Sequence, residues 1–341
     1  MSTPGNGQGN GLPAAVEVTY REAVNLALLD AMDEDPSVLL IGEDVGSDGG
    51  VFKTNMGLLE RFGAGRVLNT PIAENAFTSA ALGMALMGLR PIVEFMFADF
   101  LPTAADAIVN QLAKYRYMSG GQFAVPVTVR AVSGGTGRFG TQHSATGESW
   151  FMGQPGLKIA VAGTPAAAYE LVRAAILDDN PVIVHEHKGM YGRKGPIVRG
   201  RVGRVGAAEV LRPGTDVTIV ASLLMVGRAL AAADELATNG VSAEVIDLRW
   251  VRPLDLPAIR TSVAKTGRLL VVEEQVHPGG WGASVISALA RDGIALRAAP
   301  DAVSLRDDLL VPYSPPLEDA VIPTNDRIVG AALTLMRKIR A

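Results

Sequence analysis

The sequence predicts an α/β fold made of two domains, each built around a mostly parallel β-sheet. Segments typical of strands and of helices alternate along the chain, which is the pattern of parallel α/β layers. Several strand-like segments are short and wholly apolar, as strands are when both faces of a sheet are covered. A change in composition near residue 200 divides the series in two, and 341 residues suffice for two sizeable cores.

The first series of elements is predicted to form a domain of residues 16–195. Thr19 and Glu22 have the spacing of a capping box, so a helix should begin there and end before Pro36. Residues 102–118 have the pattern of one long helix. The strand-like segments of this domain are residues 38–41, 91–95, 125–130, 158–161 and 181–185.

The second series is predicted to form a domain of residues 215–341. Glycine, proline and arginine are concentrated just before it, so residues 196–214 are predicted to be a surface linker. Strands are expected at residues 216–222, 243–248 and 268–274, with helices between them. The sequence GGWG at residues 279–282 should open a further helix, and its Trp281 is predicted to contact another chain.

Composition excludes several classes of protein. A net charge of −4 without a basic stripe gives no case for nucleic acid binding, and the absence of cysteine excludes disulfides, thiolate metal sites and cysteine nucleophiles. Residues 1–15 are rich in glycine, asparagine and proline and are predicted to be a disordered tail, and they lack the basic start and apolar core of a secretory signal. The longest apolar run, residues 80–89, is too short for a membrane span. We therefore expect no membrane association and a cytoplasmic protein.

The segment 70–74, TPIAE, is the most informative stretch of the chain. It lies between a short apolar entry and a run of small residues, which predicts a strand, a turn and a closely packed helix with Glu74 near the turn. On spacing alone, Glu74 is an acid in the first turn of a helix, where the helix dipole favours negative charge. The alternative is a carboxylate that faces a crevice and takes part in chemistry.

An ordered set of motifs favours the chemical alternative. These motifs are residues 41–45 (IGEDV), 70–74, 94–100 (EFMFADF), 113–121 (AKYRYMSGG) and 142–144 (QHS). Together they resemble the β subunit of the thiamine-diphosphate-dependent decarboxylase component of 2-oxo acid dehydrogenase complexes. The resemblance runs from about residue 16 to the C-terminus. It implies a transketolase-like pyrimidine-binding domain followed by a transketolase C-terminal domain.

The resemblance implies roles for four residues around thiamine diphosphate. Glu74 matches the acid that hydrogen-bonds to the pyrimidine ring and exchanges a proton with it, which requires a dry pocket that tunes its pKa. Ile72, Met96 and Phe100 match apolar positions around the same ring, and core packing is the alternative for all three. The identity of Met96 and Phe100 favours a pyruvate or acetoin enzyme, whereas residues 97–99 and 114–117 favour a branched-chain one.

His143 matches a family histidine near the substrate carboxylate and the incoming lipoyl arm. An imidazole there can donate a hydrogen bond or move a proton. The preceding loop, residues 134–140, resembles a mobile active-site segment, and its Arg138 either receives a substrate carboxylate or faces solvent. Ala145 and Gly153 depart from the family pattern, which leaves the substrate open.

Thr128, Asp178 and Asn180 match positions where related β subunits hold a structural potassium ion. Ordinary turn chemistry is the alternative at residues 178–181. No Gly-Asp-Gly motif followed by paired asparagines is present, so the ligands of Mg²⁺ and of the diphosphate are expected from another chain. The resemblance therefore implies an α subunit, in a heterotetramer of two α and two β chains.

The sequence thus predicts a β subunit that acts with an α subunit on a 2-oxo acid. The substrate is expected to be pyruvate or a branched-chain 2-oxo acid, and the acyl group passes to lipoyl-lysine on an acyltransferase partner. The alternatives are an acetoin dehydrogenase β subunit and a non-catalytic scaffold of the same fold.

Overall fold

A computed structural model describes residues 13–337 and divides them into two α/β domains. The elements of the first domain are β1 (Val16–Thr19), α1 (Tyr20–Glu34), β2 (Val38–Glu43), α2 (Leu58–Phe62), β3 (Val67–Thr70), α3 (Glu74–Leu86), β4 (Arg90–Phe95), α4 (Ala113–Met118), β5 (Thr128–Ser133), β6 (Lys158–Val161), α5 (Pro165–Leu177), β7 (Val182–His187) and β8 (Lys194–Ile197). The predicted tail lies outside the described residues except for 13–15, which have no regular structure and are exposed.

The remaining elements follow in the second half of the chain. They are β9 (Glu209–Arg212), β10 (Val217–Ala221), α6 (Leu224–Thr238), β11 (Ala243–Asp247), β12 (Trp250–Arg252), α7 (Leu256–Thr266), β13 (Leu269–Val276), α8 (Trp281–Arg291), β14 (Asp301–Leu305), α9 (Pro315–Val321) and α10 (Asn325–Arg337). Within residues 13–337, no helix combines the length and the apolar content that crossing a membrane requires.

The larger sheet has seven strands in the order β12-β6-β7-β5-β4-β2-β3. All of its pairs are parallel except β12 with β6. The smaller sheet has the order β14-β13-β10-β11-β9, in which only β9 is antiparallel to its neighbour. The predicted pair of mostly parallel α/β domains is confirmed, with antiparallel strands at the edges of both sheets.

Local sequence signals explain where the first elements begin and end. Thr19 and Glu22 form the predicted capping box, in which the Thr19 backbone N–H donates to Glu22 at 2.6 Å. The helix α1 ends at Glu34, before Pro36. The strand β2 is almost wholly buried, as its apolar sequence predicts, because helices cover both faces of the sheet.

Two predictions about local structure need correction. Residues 102–118 are helical throughout, as predicted, but not all α-helical: a 3₁₀ segment (Ala98–Ala104) and a π-helical segment (Ala107–Leu112) precede α4, and Pro102 lies inside the 3₁₀ segment. Trp281 does not lie at a surface for another chain. Its side chain is fully buried, and its indole N–H donates to the Ser222 hydroxyl at 3.1 Å.

Strands cross the predicted domain boundaries. Residues 196–214 contain the last two residues of β8, which pairs with β1, and the whole of β9, which belongs to the smaller sheet. The strand β12 lies far beyond this segment in sequence but completes the edge of the larger sheet. The two domains are therefore joined by shared backbone hydrogen bonds as well as by the chain between them.

Candidate active site

The candidate site lies at the carboxyl edge of the larger sheet. The parallel strands β2, β3, β4, β5 and β7 end at the same edge, and the segments that follow β3, β4 and β5 carry Glu74, Phe100 and His143. In open parallel α/β sheets this edge is the usual place for ligands.

Glu74 is the first residue of α3, directly after the strand β3 and a short turn. Its side chain is half-buried, and within residues 13–337 its carboxylate makes no hydrogen bond or ion pair. The neighbouring Ile72 is 76% exposed, which is unusual for an isoleucine. An unpaired carboxylate beside an exposed apolar side chain fits a ligand that has an apolar ring and a hydrogen-bonding nitrogen.

A second carboxylate lies near Glu74. Glu43 is the last residue of β2 and pairs in register with Thr70 at the end of β3. Burial raises the pKa of Glu43 above its ordinary value, and the charges of Asp44 and Glu74 raise it further. No role for Glu43 was predicted from the sequence, although its position at the end of a buried apolar strand indicates the edge of the sheet where ligands bind.

Aromatic rings surround His143. Its imidazole lies edge-on to Phe97, with ring centroids 4.6 Å apart, and edge-on to Phe100 at 5.6 Å. The structure thus brings together two predicted residues, Phe100 and His143, and adds Phe97, which the sequence analysis did not assign. Met96 is half-buried. The 3₁₀ segment that carries Phe100 packs against α3, so this ring cluster adjoins the helix that begins with Glu74.

A charged residue fixes the backbone just after His143. The backbone N–H of Ala145 donates to both carboxylate oxygens of Asp99 at 3.2 Å. Burial raises the pKa of Asp99, and the hydrogen bond from Ala145 and the charge of Lys188 oppose this rise. The departure from the family pattern at Ala145 therefore lies in an anchored segment.

Lys188 lies beneath the loop 134–140. Its amine donates to the carbonyl of Gly134 and lies 5.6 Å from the ring centroids of both Phe97 and Phe139. Burial lowers the pKa of Lys188 to about 8. The sequence analysis missed this lysine because nothing in its local pattern distinguishes it from a surface lysine.

The guanidinium of Arg138 forms ion pairs with acidic residues of the second domain. It lies 2.5 Å from Glu318 and 2.8 Å from Asp319, both in α9 of the second domain. The Arg138 side chain is still 37% exposed, so these ion pairs add a structural contact that neither of the two sequence-based alternatives included.

The residues predicted to hold potassium lie at the opposite edge of the sheet. Thr128 begins β5, and Asp178 and Asn180 precede β7. The carboxylate of Asp178 pairs with Lys158 and accepts hydrogen bonds at 2.9 Å from the backbone and the side chain of Asn180.

Two arginines complete this arrangement. Arg116 donates to the side-chain oxygen of Asn180 at 2.9 Å, and Arg90 donates to the backbone carbonyl of Asp178 at 2.9 Å. Protein cations already engage these oxygens, so the structure gives the potassium prediction no support. In the part of the chain that the structure describes, no group of three or more histidine, aspartate or glutamate side chains is placed to hold a metal ion.

Comparison with known families agrees with this geometry. The transketolase pyrimidine-binding domain matches residues 16–194, and the transketolase C-terminal domain matches residues 206–328. The pyruvate dehydrogenase E1 component subunit beta-2 of Oryza sativa subsp. japonica is 43% identical over 324 residues, which cover 94% of this chain and 86% of that protein. The chain belongs to the family of 2-oxo acid dehydrogenase E1 β subunits.

Other members of this E1 β family differ in the substrate that their names state. The 2-oxoisovalerate dehydrogenase subunit beta of Bacillus subtilis is 38% identical, with 92% of this chain and 97% of that protein covered. The pyruvate dehydrogenase E1 component subunit beta of Rhizobium meliloti is also 38% identical, with 96% and 72% covered. A solved structure, a split-gene transketolase in an inactive β4 tetramer, has a TM-score of 0.78 at 24% identity over 95% of this chain and 99% of that one. This likeness supports the fold.

Proposed function

We propose that this chain is the β subunit of a thiamine-diphosphate-dependent 2-oxo acid dehydrogenase. With an α subunit, it would decarboxylate pyruvate or a branched-chain 2-oxo acid and pass the acyl group to lipoyl-lysine of an acyltransferase partner. The observation that carries the proposal is Glu74, an unpaired carboxylate at the start of α3 on the carboxyl edge of the sheet. The names of the relatives support both substrate classes.

The residues of this chain have defined tasks in the proposed reaction. Thiamine diphosphate, when bound, would supply a carbon nucleophile for the keto group of the substrate. Glu74 would hydrogen-bond to the pyrimidine and exchange a proton with it, and Glu43, whose pKa burial raises, lies at the end of the neighbouring strand. Ile72 offers an apolar surface to the same ring.

The ring cluster has a separate task. Phe97 and Phe100 pack edge-on against the His143 imidazole and so restrict its orientation. His143 then donates a hydrogen bond to the substrate carboxylate or moves a proton during acyl transfer. Met96 is proposed as a further wall residue, and Mg²⁺ with the diphosphate would be held mainly by the α subunit in an α2β2 heterotetramer.

The test is oxo-acid-dependent reduction of an artificial electron acceptor. The chain is co-purified with its candidate α subunit, loaded with thiamine diphosphate and Mg²⁺, and assayed with pyruvate, branched-chain 2-oxo acids and acetoin. Activity should require both chains and should fall at least about a hundredfold in Glu74→Gln, because proton exchange with the pyrimidine is lost. Glu60→Gln is the matched control, since Glu60 is an exposed acid in the first turn of α2.

Each outcome bears on one of the alternatives. A preference for acetoin would make the chain an acetoin dehydrogenase β subunit. The departures at Ala145 and Gly153 motivate the non-catalytic scaffold, which requires a well-formed heterotetramer that turns over no substrate. Full activity in Glu74→Gln would refute the proposed role of that residue.

The proposal includes a cytoplasmic location, which subcellular fractionation tests. The rice relative is named as mitochondrial, so recovery of the chain in an organelle would correct this part.

A further inference from the structure

The loop 134–140 borders the ring cluster of the candidate site and contains strained backbone. The Phe139 ring lies 5.7 Å from Phe97, which contacts His143. Thr136 and Arg138 have φ angles of 65° and 61°, in the left-handed region that residues with side chains rarely adopt. Such a backbone persists only where contacts outside the loop impose it.

At Arg138 these contacts come from the second domain. The Arg138 guanidinium lies 2.5 Å from Glu318 Oε2, and its backbone N–H donates to Glu318 Oε1 at 3.2 Å. The same guanidinium also donates to the carbonyl of Pro315 at 2.9 Å and contacts Asp319 at 2.8 Å. One carboxylate thus holds both the side chain and the backbone of Arg138.

Glu318 in turn depends on Arg138 for the hydrogen bonds to its carboxylate. Its side chain is 0% exposed, and within residues 13–337 both hydrogen bonds to its carboxylate come from Arg138. A buried carboxylate that loses its partner is strongly unfavourable. Asp319, by contrast, is 67% exposed, so its contact with Arg138 is weak and screened by water.

We propose that Arg138 and Glu318 form an interdomain latch through which the C-terminal domain holds the loop 134–140 against the ring cluster of His143. Both are positioning residues, because neither needs to touch the substrate. The effect of the latch on turnover rests on the function proposed above, whereas its effect on the loop does not.

The latch differs from a direct role of Arg138 in binding the substrate carboxylate. If Arg138 received the substrate, Glu318→Gln would free the guanidinium and leave KM unchanged or lower, while Arg138→Gln would raise KM. If the two residues form a latch, both variants loosen the same loop. They should then lower kcat together, and their effects should not add.

The first experiment measures hydrogen–deuterium exchange of residues 134–143 in the full chain co-purified with its α subunit, without substrate. Exchange of these amides should rise about tenfold or more in Glu318→Gln and in Arg138→Gln, and less than about threefold in the control Asp319→Asn. The double variant Arg138→Gln/Glu318→Gln leaves no buried charge unpaired, so it keeps the test decisive if a single variant fails to fold. Unchanged exchange in a folded double variant would overturn the latch.

The second experiment measures kcat and KM for the preferred 2-oxo acid in the same variants. We expect kcat to fall about tenfold in either single variant and no further in the double variant, with KM nearly constant. A rise in KM confined to Arg138→Gln would instead identify a substrate-binding arginine. If the variants exchange faster in the loop while the unaltered protein turns over no substrate, the latch is supported and the proposed function is refuted. Failure of the latch and failure of the proposed function are therefore distinguishable.

Discussion

Glu148 is predicted to make the stability of this protein fall as the pH rises towards neutrality. Its carboxyl group is buried between the domains, where the side chain of Gln275 on β13 donates to it. Burial raises the pKa of Glu148 from its ordinary value of 4.5 to about 8. The folded state therefore binds a proton that the unfolded state releases.

The sign and size of the effect follow from linkage. The contribution of Glu148 to stability is fully present below the unfolded pKa and is lost as the pH rises through the folded pKa. One extra bound proton makes the free energy of unfolding fall by about 1.4 kcal/mol per pH unit, or about 2 kcal/mol between roughly pH 5.5 and 7. The Glu148→Gln variant carries a neutral amide of the same shape, so its free energy of unfolding should lack this pH-dependent contribution.

The assay is urea unfolding of the two proteins across that range, followed by tryptophan fluorescence. The unaltered protein should lose about 2 kcal/mol relative to Glu148→Gln as the pH rises, so the two curves converge or cross. Glu273, whose pKa burial also raises to about 8, gives both proteins a slope of its own, so only the difference between the two curves is assigned to Glu148. Two parallel curves would show that Glu148 is ionised in the folded protein and would refute the reasoning.

Three further predictions concern other buried groups. Arg130→Met should lower the free energy of unfolding, measured by urea titration, by about 3–5 kcal/mol, because Glu94 and Glu186 lose the buried guanidinium between them. A decrease under about 1 kcal/mol would contradict this reasoning. Gly134→Ala should lower the melting temperature far more than the control Gly153→Ala. A Cβ at Gly134 would lie 1.9 Å from His187, whereas a Cβ at Gly153 would meet open space. Equal shifts in the two variants would count against the close contact at Gly134. Because burial lowers the pKa of Lys188 to about 8, activity should fall near pH 8 as this amine loses its charge. Lys188→Met should abolish that fall in a pH–rate profile. A profile that still falls near pH 8 would assign the fall to another group.

Periodicity and end signals predicted most of the fold because they act over short distances in the chain. The capping box at Thr19 and Glu22 and the apolar run that became β2 specify local structure directly. The three residues of β12 are too few to carry a pattern, and their pairing with β6 depends on a contact about ninety residues away in sequence. The irregular segment around Pro102 also escaped detection, because a helical pattern does not distinguish α from 3₁₀ or π geometry.

The candidate site was predictable only where a motif spans a few residues. The segment 70–74 led to Glu74 because strand, turn and helix follow one another directly. Phe97 was missed because alternation of side chains ends with β4 at Phe95, and nothing in the sequence says which of the next residues turns towards His143. Arg138 and Glu318 are 180 positions apart, and opposite charges at such a distance are too common to predict a pair.

The position of β12 limits how this protein can be divided. A fragment that stops at residue 214 would contain the whole of the larger sheet except this strand, and β6 would then present free backbone donors and acceptors to solvent. Exposed strand edges recruit other chains, so such a fragment is expected to self-associate. A gene split at the apparent linker would need to restore Trp250–Arg252 to its first half to give a well-behaved monomeric piece.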